Sequence, residues 1–298
     1  MQIEQEDARA AGTVSFMSRI FCQVALPYRD PGPILEWVRT NGTITLHLNP
    51  GLVVGPRGQE ARGYPFGVMP RYLLAWMTTE VVFDGPAVQE DGLTLGLGGS
   101  MNAFLRQIGI GQATGGAKGS GTRLRDQVTR LATSSAIVSE TRPAANGRWN
   151  FRGETFGFMG GVNLWWSDRR PDDDTLLSNT IRLTEAWRDS IKTSAVPLDT
   201  RALAVIQQAK AGPLALDLYY WLAHRLHTLR RATVVPWALL ARQFGSQYGR
   251  LIDFRRQVVK QLRVIQLAYP QARVTATDDG LLLKPSPTPI SRQTTIDV

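Results

Sequence analysis

Apolar and polar positions follow two periods along this chain, helical and alternating, and the clearest helical stretch runs from Arg250 to Leu267. There Phe254, Val258, Leu262 and Ile265 fall on one stripe, Arg256, Lys260 and Arg263 fall on the opposite side, and Gln257 and Gln261 lie between the basic positions. Upstream, Pro213 to Leu229 predicts an apolar helix. A shorter helix starts at Pro236 and ends before Gly245, with Trp237, Leu240 and Phe244 as its core positions. Downstream, Arg273 to Thr277 and Leu281 to Lys284 read as strands joined through Asp278-Asp279-Gly280, a turn closed by the glycine that a tight hairpin favours.

The earlier part of the chain is patterned in a similar way. After a polar tail over residues 1–12, Phe16 to Val24 is an apolar segment that stops at Leu26-Pro27. Asn41-Gly42 then introduces the alternating strand Thr43 to Leu48. Residues 49–67, rich in glycine and proline, predict a loop closed by Tyr64-Pro65-Phe66-Gly67. Pro70 opens a helix, Arg71 to Phe83, with Leu73, Leu74, Met77 and Val81 placed to pack. Leu93 to Leu95 is a short strand, and Ser100 caps a helix ending near Ile108. A glycine-rich turn, Gly109 to Gly121, leads to a helix capped by Thr122 and running from Arg123 to Ala132. Its inward positions are Leu124, Val128 and Leu131, and Arg123, Gln127 and Arg130 are left free. Strands follow at Ala136 to Thr141 and Trp149 to Phe158. Residues 153–212 then carry short strands at Val162 to Ser167 and Asn179 to Thr184, and a helix from Thr200 to Ala211 started by Asp199 or Thr200.

Helix, helix, helix, strand, strand therefore occurs twice, without visible sequence identity between the two occurrences. That order predicts an α+β chain built from two tandem winged helix-turn-helix domains. The expected divisions are a flexible tail (1–12), an N-terminal winged-helix domain with connecting strands (13–194), a C-terminal winged-helix domain (195–285) and a disordered Pro-Ser-Pro-Thr-Pro tail (286–298). In such a domain the third helix lies in the major groove of DNA and the hairpin runs along the phosphate backbone.

Charge sharpens this reading. The chain carries a net +9, and residues 213–298 alone hold 12 Lys+Arg against 5 Asp+Glu, while residues 101–152 hold 8 against 2. The rest of the chain is net acidic, so the positive charge is concentrated in two segments, as expected for contact with a polyanion. The C-terminal candidates for DNA contact are Arg250, Arg255, Arg256, Gln257, Lys260, Gln261, Arg263 and Arg273. The N-terminal ones are Lys118, Arg123, Arg125, Gln127 and Arg130. Arginine and glutamine can pair bidentately with guanine and adenine edges, so the C-terminal helix is expected to read bases and the N-terminal one to position phosphates. No stretch approaches the length of a membrane-spanning helix, and the start of the chain is acidic and polar where a signal peptide would be basic and then apolar. Cys22 is the single cysteine, which excludes a disulfide framework and suits the cytoplasm.

Several motifs point to chemistry more weakly. In Gly109 to Gly121 an alanine precedes Lys118, and Gly119 stands where a phosphate loop needs Ser or Thr for magnesium, so no nucleotide cofactor is expected. Asp172-Asp173-Asp174 beside Pro171 reads as an exposed turn. His224 and His227 share a helix face without a third ligand, so no metal is expected. An initiator that nicks DNA needs two neighbouring histidines and a displayed tyrosine. His47 is alone on its strand, which favours a binding protein over an enzyme. A winged-helix transcription regulator remains the competing reading, and two unlike reading heads on one chain are the feature that would separate the two.

Six blocks resemble the RepA family of plasmid replication initiators, which are similar to TrfA-type initiators. They are SFMSRIFCQVALPYRDP (15–31), RTNGTITLHL (39–48), YPFGVMPRYLLAWMTTEVV (64–82), GGSMNAFLRQIGIGQATGGAKGSGTRLRDQVTRL (98–131), PLALDLYYWLAHRL (213–226) and FRRQVVKQLRVIQLAYPQARV (254–274). The resemblance implies a tandem winged-helix plan and a protein that binds direct repeats (iterons) at a plasmid origin and helps open the duplex. It also implies recruitment of host replication proteins such as the initiator and helicase, and repression of the protein's own gene. Such initiators exchange between dimer and monomer. The apolar strand around Leu46 and Leu48 and the Phe16 to Val24 segment are the surfaces expected to carry self-association.

Overall fold

The computed structural model describes residues 12–54, 60–98, 100–110, 114, 119–164, 179–244 and 248–290. In chain order it begins with β1 (Val14–Ser18), β2 (Trp37–Asn41), β3 (Ile44–Asn49), β4 (Gly51–Val54), β5 (Glu60–Gly63) and α1 (Met69–Phe83). Next come β6 (Thr94–Gly96), α2 (Met101–Gln107), α3 (Ser120–Thr133), β7 (Ser135–Pro143), β8 (Trp149–Gly157), β9 (Met159–Asn163) and β10 (Thr180–Leu183). The remainder is α4 (Glu185–Ser194), β11 (Ala195–Asp199), α5 (Thr200–Gln208), α6 (Pro213–Arg225), β12 (Thr233–Pro236), α7 (Trp237–Phe244), α8 (Leu251–Ala268), β13 (Val274–Ala276) and β14 (Gly280–Leu283). Helices pack with small antiparallel sheets throughout, and contacts divide the chain into two compact units at Ala25/Leu26 and Ser194/Ala195.

The unit from Leu26 to Ser194 is organised around α1. Pro70 sits in its first turn, and 12 residues from Met69 to Val81 are buried, so the helix is covered all round where a surface helix would keep a polar face. One of them is Arg71, only 2% exposed. Its guanidinium donates to the carbonyls of Leu26, Pro27 and Gly67, so the buried charge is hydrogen-bonded rather than left in an apolar surround. Trp76 meets Phe104 of α2 edge to face at 4.9 Å, and Leu124, Val128 and Leu131 of α3 complete this side of the core. A four-stranded sheet, β2-β3-β7-β8, and a three-stranded one, β6-β10-β9, are joined at an aromatic cluster of Phe156, Phe158 and Trp187.

Three features here depart from the sequence pattern. The glycine-rich stretch 49–67, expected as a loop, contains the β4-β5 hairpin. Gly51 is required there because a Cβ would stand 2.1 Å from the Thr133 hydroxyl and 2.7 Å from the Thr133 carbonyl carbon. Thr122 is not the cap of α3, which starts two residues earlier with Gly119 as its N-cap. Helix α4 occupies residues where only connecting strands were expected, anchored by the inward pair Trp187 and Ile191.

The second unit contains the chain from Ala195 onward together with the segment ending at Ala25. β1 pairs with β11 from Val14↔Asp199 to Ser18↔Ala195, so residues 13–25, expected in the N-terminal domain, belong here. Asp199 ends the ladder and caps α5 by accepting from the Arg201 N–H at 2.8 Å. α6 is buried continuously from Leu214 to Ala223, and α8 packs against α5, α6 and α7. The hairpin β13-β14 forms as patterned, but β12, which was not foreseen, adds to it in the order β12-β14-β13. Residues 286–290, expected in a disordered tail, are ordered here, and the rest of that tail lies outside the described residues. Ser286 is buried and its hydroxyl accepts from the Arg273 N–H at 3.0 Å, Tyr269 donates its hydroxyl to the Pro287 carbonyl, and Ile290 is 8% exposed.

Candidate nucleic-acid interface

Helix α8 owes its orientation to four residues at i, i+4, i+8 and i+11, namely Phe254, Val258, Leu262 and Ile265, none more than 5% exposed. With that stripe buried, a rotation of about 100° per residue turns Ile252, Arg256, Lys260, Arg263 and Leu267 away from the core. Each of the five is exposed. At the start of the helix Arg250 and Asp253 pair at 2.7 Å, and Arg256 stands 3.7 Å from the same carboxylate. The Arg250 guanidinium holds the Asp253 carboxyl below the usual carboxylate value.

Not every predicted contact residue of this helix shares that face. Arg255 is half-buried, pairs with Asp278 of the β13-β14 turn at 2.7 Å and lies 5.5 Å over the Trp237 ring, so it fastens the hairpin to the helix. Gln257 and Gln261 are half-buried on the flank of the apolar stripe, not between the cations as the spacing suggested, because their angular positions fall beside Phe254 and Ile265. Arg273 is exposed just before β13. Arg230, Arg231 and Arg242 are also exposed in this unit, and sequence reasoning passed over them because they lie outside the patterned helix.

The N-terminal set separates further. Arg123 is exposed, Arg125 is half-buried and donates to the Thr122 hydroxyl at 3.1 Å, and Lys118 lies outside the described residues. Gln127 and Arg130, expected to be free, are structural. Gln127 is 4% exposed and accepts from the Phe66 N–H at 2.7 Å. Arg130 pairs with Asp126 at 2.9 Å and Asp30 at 3.2 Å while covering the Phe66 ring at 5.1 Å. Both side chains therefore brace the Tyr64 to Gly67 segment against α3.

The far half of the β7-β8 hairpin is a feature the sequence did not single out. Residues 141–155 are exposed, among them Trp149 at 70%, Phe151 at 69% and the cations Arg142, Arg148 and Arg152. Asn146 (φ 60°) and Gly147 (φ 72°) turn the chain at the tip. β8 pairs with β7 alone among the described strands. By contrast Leu46 and Leu48, expected to carry self-association, are fully buried.

The weaker motifs resolve as follows. Asp172 to Asp174 and most of the glycine-rich turn lie outside the described residues. At the described end of that turn, Thr114 and Ser120 bond each other reciprocally. His47 stands 3.3 Å from Glu36, and the rings of His224 and His227 are 6.3 Å apart. Burial, with Arg19, His227 and Arg225 nearby, pulls His224 down to about 4. Among the described residues no group of three His, Cys, Asp or Glu side chains could hold a metal, and no helix is long and apolar enough to cross a membrane.

A family model described as plasmid encoded RepA protein matches residues 64–238, more than half of the chain. The chain belongs to the RepA family of plasmid replication initiators. The match ends within α7, so the reading of α8 rests on its own geometry. No curated protein sequence matches the chain. A crystal structure of domains 2 and 3 of RctB, in selenomethionine form, is similar at a TM-score of 0.50 with 13% identity, covering 87% of each chain. A second structure of those domains gives 0.48 and 13%, covering 88% of this chain and 93% of that one. At that identity the first likeness is one of fold. Membership in the RepA family implies DNA binding at a replication origin.

Proposed function

We propose that this RepA-family protein is an iteron-binding initiator that reads direct repeats at a plasmid origin through the outward face of α8. The observation that carries the reading is that face itself. Arg256, Lys260 and Arg263 are exposed together on a helix whose opposite side is fully seated, followed by the hairpin β13-β14. The order α6, α7, α8, β13, β14 supports a winged helix-turn-helix for this unit, with β12 as a third strand of the wing sheet. The order α1, α2, α3, β7, β8 supports a second such domain, in which Arg123 contacts phosphate. Two unlike heads on one chain suit a non-palindromic repeat read as a monomer.

Binding and deforming the duplex then open the adjacent DNA, host initiator and helicase join the complex, and occupancy of the same repeats represses the protein's own gene. Self-association occupies the edge of β8. The protein works by binding in the cytoplasm and does not cut DNA. Tyr72 in α1 and Tyr219 in α6 are both buried within their helices, which supports this view.

Footprinting on the plasmid's origin tests the reading. Protection should cover direct repeats of roughly 20 base pairs, two major grooves one turn apart. Arg256→Ala or Arg263→Ala should cost roughly 1–3 kcal/mol on the repeat and little on a scrambled duplex. Equal loss on both duplexes would remove α8 as the reading head. Conversion of supercoiled origin plasmid to nicked circles in magnesium would overturn the binding mechanism.

A further inference from the structure

The outward face of α8 is not uniformly cationic. Ile252 stands in its first turn, one turn ahead of Arg256, and is 45% exposed; Leu251 beside it is 47% exposed. Helical side chains lean toward the N-terminus, so Ile252 occupies the leading end of the face, the part of a groove-reading helix that meets base edges. Single exposed apolar side chains are common and by themselves mean nothing. The surroundings decide here. Arg250, Arg256, Lys260 and Arg263 are all exposed around or along the same stripe. A second copy of this chain would bring like charges together at that surface, and a membrane would need a broad apolar face, which Leu251 and Ile252 at one end of the helix and Leu267 at the other, with Arg256, Lys260 and Arg263 between them, do not make. An anionic partner with one small apolar feature set among hydrogen-bonding groups fits the surface better. In the major groove that feature is the C5-methyl group of thymine, the sole apolar group on any base edge there.

We infer that Ile252 is a specificity-determining residue that seats on a thymine methyl, next to the base pair that Arg256 contacts. The inference rests on α8 being the reading helix. Ile252 supplies the apolar contact and Arg256 the bidentate hydrogen bonds, so the pair selects a thymine neighbouring a guanine. Removing one methyl from such a contact should weaken binding about fourfold, the factor equivalent to ~0.8 kcal/mol for a buried carbon.

The test uses the full chain and two probes. Wild type and Ile252→Ala are each used to select duplexes from a randomised library, and the thymines of the selected motif are then replaced one at a time by deoxyuridine, which lacks only the methyl. The expected result is a motif with an invariant thymine that Ile252→Ala no longer selects. Deoxyuridine at that position should cost the wild type about fourfold in affinity and Ile252→Ala nothing. The inference is overturned if both proteins select the same thymine and pay the same deoxyuridine penalty, or if no thymine is sensitive. Failure of the underlying reading looks different: the wild type would then select no motif, or Arg256→Ala would select the same motif with unchanged affinity. Ile252 packs no core, so Ile252→Ala keeps its circular dichroism and melting temperature, and its binding data report the contact itself.

Discussion

At the scale of single residues, the same side-chain type divides into exposed cations and braces according to what lies opposite. Arg123 and Arg130 are two turns apart on α3, yet one is exposed and the other is held by two carboxylates and an aromatic ring. Arg130→Ala should therefore lower stability by roughly 1–3 kcal/mol, because Asp126 and Asp30 lose the partner that satisfies them. Gln127→Ala should do the same by leaving the half-buried Phe66 N–H without its acceptor. Arg123→Ala should leave the melting temperature unchanged and weaken every duplex alike, flattening the salt dependence by about one phosphate contact. Thermal melts beside salt titrations separate the two behaviours, and a stable Arg130→Ala with a DNA defect would return that residue to the interface. His224 gives a pH dependence of defined sign. Its unfolded imidazole protonates near 6.5 and the folded one only near 4, so between these values the unfolded chain binds more protons and stability falls as pH falls. Denaturant midpoints measured from pH 7 to pH 4 should drop for the wild type and drop less for His224→Gln. Parallel curves would exclude His224 as the cause.

At the scale of elements, what could be read from the sequence was what local pattern encodes. α8 and α1 were plain because each carries many apolar positions at helical spacing, and β13-β14 because the acidic turn marks it. α4 was missed because only Trp187 and Ile191 point inward among polar residues, and β12 because four residues ending in Pro236 give almost no period. The pairing of β1 with β11 joins positions about 180 residues apart in sequence, which no window detects. The braces Gln127 and Arg130 escaped for the same reason, since their partners Phe66 and Asp30 lie far upstream. Gly280 was recognised for a reason the structure replaces. Its value is close approach, because a Cβ there would stand 2.0 Å from the Val235 carbonyl oxygen across the sheet. Gly280→Ala should push β12 and β14 apart, costing about 1–3 kcal/mol and loosening the hairpin that Arg255 ties to α8. Hydrogen exchange should show faster amides in β12 and β14 first. Unchanged protection there would mean the sheet absorbs the methyl without opening.

At the scale of the whole molecule, the self-association proposed above needs a surface that the fold leaves open, and Leu46 and Leu48 are fully buried. Among the described strands β8 offers an unpaired edge, with Trp149 and Phe151 exposed beside it. Two copies related by a two-fold axis can pair this edge antiparallel, and an axis passing through Gly153 sets Arg152 of one copy opposite Glu154 of the other. The charges then complement each other across the interface, and the aromatic residues gain cover on both sides. Buried aromatic anchors of this kind carry much of an interface's energy, so Trp149→Ala with Phe151→Ala should raise the dimer dissociation constant by tenfold or more, equivalent to at least ~1.4 kcal/mol. Neither residue contributes to the core, so the monomer should keep its melting temperature. Sedimentation across a concentration series reads the constant, and Arg152→Glu combined with Glu154→Arg provides the check on register. Each change alone places like charges opposite one another and weakens the dimer, while the exchanged pair restores it. A dimer indifferent to all four substitutions would show that the copies meet elsewhere. A variant that can no longer dimerise should still give the full footprint on the origin repeats, because the proposed reading face lies on α8 and the paired edge on β8.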